Sequence, residues 1–381
     1  MQHGRTIRHL FALKPDMDFL NHGSFGATPL SVLDRRHELM LQMEAQPCRF
    51  MFETLQPELS RAAQTVQTWL GSQTGDLVFV DNATTAINAV LRGLDLRDTD
   101  RVLTLSHVYN AVRNTAQYVC VRSGAELIEV AVPFPLATED QVIDALVEAL
   151  KPGAAVAILD HITSPTGLVL PIERMVQACR DAGVPVLVDA AHSPGHVAID
   201  LDNLGADWVT GNLHKWAFAP KGTAFLWIAP GRRPDALVIS HLYQGSRTEA
   251  FHWPGTRDFS GWLAAPEGVT FHTEHGGTAL MDRNRALCRT AADLIADRWA
   301  VDIPSPASCR AALCTLPLPT HVPPDIDACI ALSVALWSKH RIEVPIVPFG
   351  DRAWVRFSVQ IYNELDQYER LAHAVIDELT P

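Results

Sequence analysis

The sequence predicts an α/β fold in which a doubly wound, mostly parallel sheet forms a large domain and a smaller α+β domain follows it. Two observations carry this expectation. Between about residues 60 and 230, short apolar runs rich in β-branched residues alternate with amphipathic stretches, the pattern of strands covered on both faces by helices. Beyond a Pro-rich, aromatic stretch at residues 243–266, a long amphipathic segment opens a second region in which short strands return only near the end.

In chain order, residues 1–20 read as an N-terminal arm, residues 21–265 as the large domain and residues 266–381 as the small one. The opening part of the large domain is free to pack on the small domain. The strand runs are DLVFV, RVLTLS, ELIEVAV, VAILDHI, PVLVDAA, DWVTGN and TAFLWIA. Helices are expected between them over residues 139–150 and 172–182. In an open α/β sheet the loops leaving the carboxyl ends of the strands build the site. The polar residues after each run are therefore the ones to inspect, at positions 82–85, 107–110, 161–166, 189–192 and 212–215. A helix is expected over residues 276–300, and from residue 330 onward an amphipathic helix, short strands and a closing helix. No internal repeat or low-complexity segment interrupts this order.

Composition narrows the possible functions. The 43 acidic residues against 31 Lys and Arg give a net charge of -12, which repels a nucleic-acid backbone or an anionic membrane surface. The first residues contain no apolar stretch long enough for a signal sequence, and no later segment offers about 18 uninterrupted apolar residues, so a cytoplasmic protein is expected. The seven cysteines are scattered, with no CxxC pair, and suggest neither a disulfide framework nor a zinc knuckle.

Four residues stand out in or just after their runs. Lys215, in VTGNLHKWAFAPKG, closes a strand-like stretch; it is either a solvated loop lysine or an amine held near a cofactor aldehyde, which must lose its proton to act as a nucleophile. Asp189 ends VPVLVD, and a carboxylate buried there needs a cationic or hydrogen-bonding partner. A protonated pyridine ring is such a partner, and capping of the following turn is the alternative. His192 could contact the cofactor or cap locally. Arg356, in the apolar WVRFSVQIYN, needs an anion, supplied either by a structural ion pair or by a substrate carboxylate gripped through a guanidinium fork.

A strand ending in Asp, a helix, then a strand ending near Lys is the order found in fold-type I pyridoxal phosphate enzymes. The motifs DNATTAIN, SHVYN, DHITSPTG, VDAAHSPG, GNLHKW and WVRFSVQIYN resemble those of the class V aminotransferase family. FLNHGSFGATP, QPCRF, HKWAFAPKG and RIEVPIVPFGDRAWVRFS are most similar to its isopenicillin N epimerase branch. The resemblance implies a pyridoxal phosphate Schiff base on Lys215, with Asp189 on the pyridine nitrogen and His107 stacked on the ring. It implies that Thr84, Thr85, Asn212 and His214 hold the phosphate, and that His192 contributes to the cofactor site. Thr256, in WPGTRDFSG, would reach the phosphate of a neighbouring subunit, implying a homodimer. Arg356 would take the substrate α-carboxylate, with Asn21 and Arg49 as lesser candidates and Ser164 or Thr166 bordering the cofactor.

The implied chemistry is at the α-carbon of an amino acid. Removal of the α-proton, with Lys215 as base, leads to epimerisation, β-elimination or transamination, and the branch resemblance favours an epimerase-like reaction. A desulfurase using a persulfide cysteine near the closing arginine motif is not expected, because no cysteine follows Cys329. Two other classes stand beside this reading. Asp160, His161, Asp189, His192, His196 and His214 could ligate a metal in a hydrolase, or the chain could be a silent binder. A NAD enzyme is disfavoured because no GxGxxG follows a strand.

Overall fold

The computed structural model describes residues 2–380. The seven expected runs become the strands β2 (Asp76–Val80), β3 (Arg101–Leu105), β4 (Glu126–Val130), β5 (Val156–Asp160), β6 (Val186–Asp189), β7 (Trp208–Asn212) and β8 (Ala224–Ile228). They form one sheet in the order β2-β8-β7-β6-β5-β3-β4. All run parallel except β8, which is antiparallel to both of its neighbours. The central strands β5, β6, β7 and β8 are buried along their whole length, which explains runs that are apolar throughout rather than alternating.

Helices cover both faces. Asp140–Leu150 and Ile172–Asp181 match their expected spans. Ala83–Arg92 follows β2 and starts at Asn82, whose side chain accepts from the Thr85 N–H at 2.9 Å, a standard cap for an otherwise unpaired first turn. The helix Ala265–Glu274 contributes Ala265 and Val269 to the core of this sheet.

The remainder of the chain builds a second core. The helix Thr278–Trp299 packs there with Leu365–Leu379 around an antiparallel sheet of β9 (Leu313–Pro317), β11 (Ile346–Phe349) and β12 (Arg352–Ser358), in the order β11-β12-β9. The helix Ile326–His340 starts earlier than the pattern suggests, because the Asp325 side chain caps it by accepting from the Ala328 N–H. The short β9, which ends at Pro317 with Pro319 just beyond, carries no strand signal that stands out in the sequence.

The start of the chain is attached to its end. β1 (Asp18–Phe19) pairs in parallel with β10 (Ile342–Glu343). The Gly4 N–H donates to the Ile361 carbonyl, and the Ser358 N–H to that of Leu20. The loop that follows presses on the end of β7: Gly26 has φ +69, and a Cβ there would sit 2.3 Å from the His214 carbonyl oxygen, so only glycine fits. Among the described residues no helix is long and apolar enough to cross a membrane.

Candidate active site

A cavity of about 570 Å³ opens at the carboxyl edge of the large sheet, lined from β2, β5, β6 and β7, the N-terminal loop and β12. This edge is where the topology predicts a ligand. It gathers Thr84, Thr85, Ser164, Asp189, His192, Asn212, His214, Lys215 and Arg356 into one lining.

Lys215 lies in the turn after β7. Its main chain is clamped from the N-terminal segment: the fully buried His22 accepts at Nδ1 from the Tyr362 hydroxyl at 2.7 Å and donates from Nε2 to the Lys215 carbonyl at 3.0 Å. Its amine points into the cavity, 3.1 Å from Nε2 of His192. Burial, then the Arg356 charge, pull the Lys215 pKa down to about 7, against the attraction of Asp189. A substantial share of the amine is therefore neutral and nucleophilic near neutral pH. Burial, with Lys215 next in weight, holds His192 well below the ordinary histidine value, so this ring is a neutral neighbour.

Asp189 ends β6 and is buried. Its Oδ1 accepts from the Ala191 N–H at 2.9 Å, an Asx-type turn that also satisfies the capping alternative. Burial raises its pKa, opposed by that hydrogen bond and by Lys215. A carboxyl group so placed suits a cationic ring nitrogen.

The helix Ala83–Arg92 aims its N-terminus at the same space. Asn212 Oδ1 accepts from the Ala83 N–H at 2.9 Å, and Asn82 holds Thr85. The Thr84 N–H lies in the first turn of this helix, which has no intrahelical acceptor for it, beside the two threonine hydroxyls, and a helix N-terminus of this kind favours an anion. His214 gives its Nδ1–H to the Thr223 carbonyl at 2.9 Å. Burial lowers its pKa to about 4, and an anion at Nε2 would favour the second proton. An aldehyde, a basic ring nitrogen and a phosphate thus each have a matched partner, so these residues fit pyridoxal phosphate.

The sequence matches the family "Aminotransferase class-V" over residues 22–371. The chain belongs to this family. It is a pyridoxal phosphate-dependent enzyme. It is 33% identical over 95% of its length to a probable chloroplastic L-cysteine desulfhydrase of Arabidopsis thaliana, covering 82% of that protein. It is 30% identical over 97% of its length to the isopenicillin N epimerase of Streptomyces clavuligerus, covering 96% of that protein. Among solved structures, a lysine-to-alanine mutant of C-DES with glycine covalently linked to its PLP cofactor superposes with a TM-score of 0.81 at 20% identity, over 97% of this chain and 99% of that one, which shows the shared fold.

Within the class-V site, Arg356 is the residue most plainly short of a partner. It is buried on β12, donates from Nη1 to the Ser164 carbonyl at 2.5 Å and from Nη2 to Ser24 Oγ at 2.8 Å, and leaves Nε buried without any partner. Burial lowers its pKa only to about 10, so the charge persists, and among the described residues no acidic side chain pairs with it. That arrangement disfavours a structural ion pair and leaves room for an anion. Asn21 does not line the cavity but supports this group, because its Oδ1 accepts from the same Ser24 hydroxyl at 2.5 Å.

Besides Asn21, four expected residues do not reach the class-V cavity. His107 is buried behind it: Thr166 Oγ1 bonds to Nδ1 at 2.7 Å, Nε2 bonds to the Val132 carbonyl at 3.1 Å, and the ring packs 4.5 Å from Phe349. These bonds hold His107 behind the cavity lining and keep Thr166 beside it. The ring that lines the cavity is Tyr109, two residues on, immediately before the helix Asn110–Ser123. Of the two rings in SHVYN it is the one next to the helix start that borders the cavity. Arg49 is exposed and pairs with Glu53 at 3.1 Å. Thr256 is exposed, outside the cavity, next to Arg257, which is bonded to Asp81. Asp160, which sequence reasoning considered only as a metal ligand, lines the cavity beside Asp189. His161 and His196 are held by Ser193 and by the His192 carbonyl and Ala312 N–H. Among the described residues no group of three His, Cys, Asp or Glu is gathered as for a metal.

Proposed function

We propose that this class-V enzyme removes the α-proton of an amino acid, with Arg356 holding the α-carboxylate and Lys215 carrying the proton. The observation that carries the proposal is the pairing, in one cavity, of an amine whose pKa is lowered to about 7 with a buried guanidinium that has no counter-ion. Pyridoxal phosphate, when bound, supplies a protonated ring able to accept the electron pair released at the α-carbon.

Arg356 fixes the carboxylate and so limits how the substrate can turn, and the Ser24 and Ser164 contacts hold the guanidinium in place. Lys215 Nζ accepts the proton as the α C–H bond breaks, and neutral His192 beside it adds no competing positive charge. The N-terminal clamp on the Lys215 carbonyl keeps the amine from swinging out. Asp189 stabilises positive charge on the ring nitrogen. Thr84, Thr85, Asn212 and His214 anchor the phosphate.

The outcome proposed first is epimerisation, in keeping with the likeness to isopenicillin N epimerase over nearly the whole chain. The second reading is β-elimination from a cysteine derivative, favoured by likeness to the L-cysteine desulfhydrases. Incubation with a panel of amino acids in deuterated water tests both. Labelled opposite enantiomer supports the first, and release of pyruvate carrying deuterium in its methyl group, with ammonia and sulfide or thiol, supports the second. Absence of both α-deuterium and pyruvate release from every amino acid, with the cofactor bound, overturns the proposal. We further propose a homodimer in which Thr256 faces the partner's phosphate, its exposure outside the cavity being the supporting observation. A fully active monomer in sedimentation analysis would overturn that reading.

A further inference from the structure

Asp160 and Asp189 are register partners on the adjacent parallel strands β5 and β6. Partners in a parallel pair project to the same face, and both side chains line the cavity while being only 2% and 4% exposed. Neither forms a salt bridge. Asp189 has the Ala191 N–H on Oδ1, whereas Oδ2 of Asp160 is buried with no partner. The charged and titratable groups around Asp160 are Asp189 on β6 and Arg113 on the helix Asn110–Ser123, with the Tyr109 backbone at the helix start. Arg113 is committed elsewhere, with two bonds to Glu129 at 2.9 and 2.8 Å and one to the Ser106 carbonyl. Lys215 acts on Asp189. Two adjacent buried carboxylates resist being ionised together unless a cation lies between them.

We propose that Asp160 is a positioning residue that holds a proton beside Asp189, so that the pair presents a single negative charge to the cofactor's ring nitrogen. The assignment within the pair follows the partners. Asp189 has the Ala191 N–H and the nearby Lys215 to favour its charge; Asp160 has an unpartnered Oδ2, and its burial and the neighbouring Asp189 carboxylate outweigh the backbone N–H groups of Asp160 and Tyr109 that favour its ionised form. Burial, then the charge of Asp189, raises the Asp160 pKa well above the ordinary carboxyl range. A protonated Asp160 holds Asp189 ionised and prevents a second negative charge from gathering under the ring. The inference rests on the reading of Asp189 as the partner of the ring nitrogen.

Infrared difference spectroscopy of the holoenzyme at neutral pH tests it directly. A protonated-carboxyl stretching band should be present in the unsubstituted protein and absent from Asp160→Asn. The amide keeps the shape and a donor without the ionisation, so apo Asp160→Asn should bind pyridoxal phosphate within about threefold of the unsubstituted protein, and the pH titration of the cofactor's visible band should not move. Asp160→Ala, lacking the donor to a charged group, should bind roughly tenfold or more weakly and shift that titration. No such band in the unsubstituted protein, or a shift in Asp160→Asn as large as in Asp160→Ala, overturns the inference. Asp189→Ala separates the two readings: unchanged cofactor affinity and titration there removes the premise about Asp189, whereas a perturbed Asp189→Ala with no carboxyl band removes only the role given to Asp160.

Discussion

Buried polar side chains cluster in two regions of this molecule, and they are used differently. Beneath the C-terminal sheet, Asp18, Asn284, Gln360, Asn363 and Gln367 bond mainly to one another. Gln367 donates to Asp18 at 2.8 Å, Asn284 to Gln360 at 2.8 Å, and Asn363 to both Gln367 and the Phe19 carbonyl. Arg370 completes Asp18 at 2.8 Å, and Gln360 Nε2 is the unused donor. At the strand-end cavity, by contrast, Arg356 lacks an anion, Asp160 an oxygen partner and Lys215 a counter-charge in contact. Leaving buried groups short of partners costs stability. Where the chain closes its own network the polar groups act as scaffold, and where it leaves capacity open a ligand completes them.

Lys215→Ala should break the cavity side of this comparison most severely. Loss of α-proton exchange of roughly a hundredfold to ten-thousandfold is expected from proton transfer alone. Borohydride should no longer fix the cofactor to the chain, as peptide mapping would reveal, while the fold remains.

Arg356→Ala and Asn363→Ala set the two regions against each other. The first should raise the substrate KM roughly tenfold to a hundredfold, because a hydrogen bond to a charged group is worth about 1.5–3 kcal/mol, with little loss of stability. The second should cost about 1–3 kcal/mol in denaturant unfolding with near-normal kinetics in the folded fraction. If Arg356→Ala destabilises and spares KM, Arg356 belongs to the scaffold.

The lowered lysine value gives the comparison a pH axis. Uptake of pyridoxal phosphate by the apo-protein should quicken as pH rises through about 7, where the amine sheds its proton, rather than near the value of a free lysine. Between about 7 and 10.5 the unfolded chain keeps a proton that the folded one has lost, so apo-protein stability should rise across that window relative to Lys215→Met. Equal pH profiles for the two proteins would remove the assigned shift. The smallest effect belongs to Arg49→Ala, which should change KM by less than about twofold, since an exposed i,i+4 pair is worth about 0.3–0.5 kcal/mol.

Much of this was legible in the sequence because strand ends in an α/β sheet are marked by composition: VLVD and VTGN carry their polar residues where the apolar runs stop. Side-chain direction was not. His107 and Tyr109 lie on the same loop, and only the bonds to Val132 and Thr166, from two other strand-end loops, decide which ring faces in. Asp160 was obscured for a related reason, because its significance comes from register with a residue on the next strand. The antiparallel course of β8 likewise leaves no mark in the run AFLWI.

The attachment of the N-terminal segment to the end of the chain has a consequence during synthesis. His22, which steadies the Lys215 turn, meets Tyr362 across 340 positions. At about 5–20 residues per second a ribosome needs roughly 20–70 seconds to span that interval. Until then the nascent chain carries the cofactor-binding strands but neither Arg356 nor the clamp on Lys215. The clamp on the Lys215 turn therefore waits for the segment that carries Tyr362, and a chain translated only through the cofactor-binding strands lacks it.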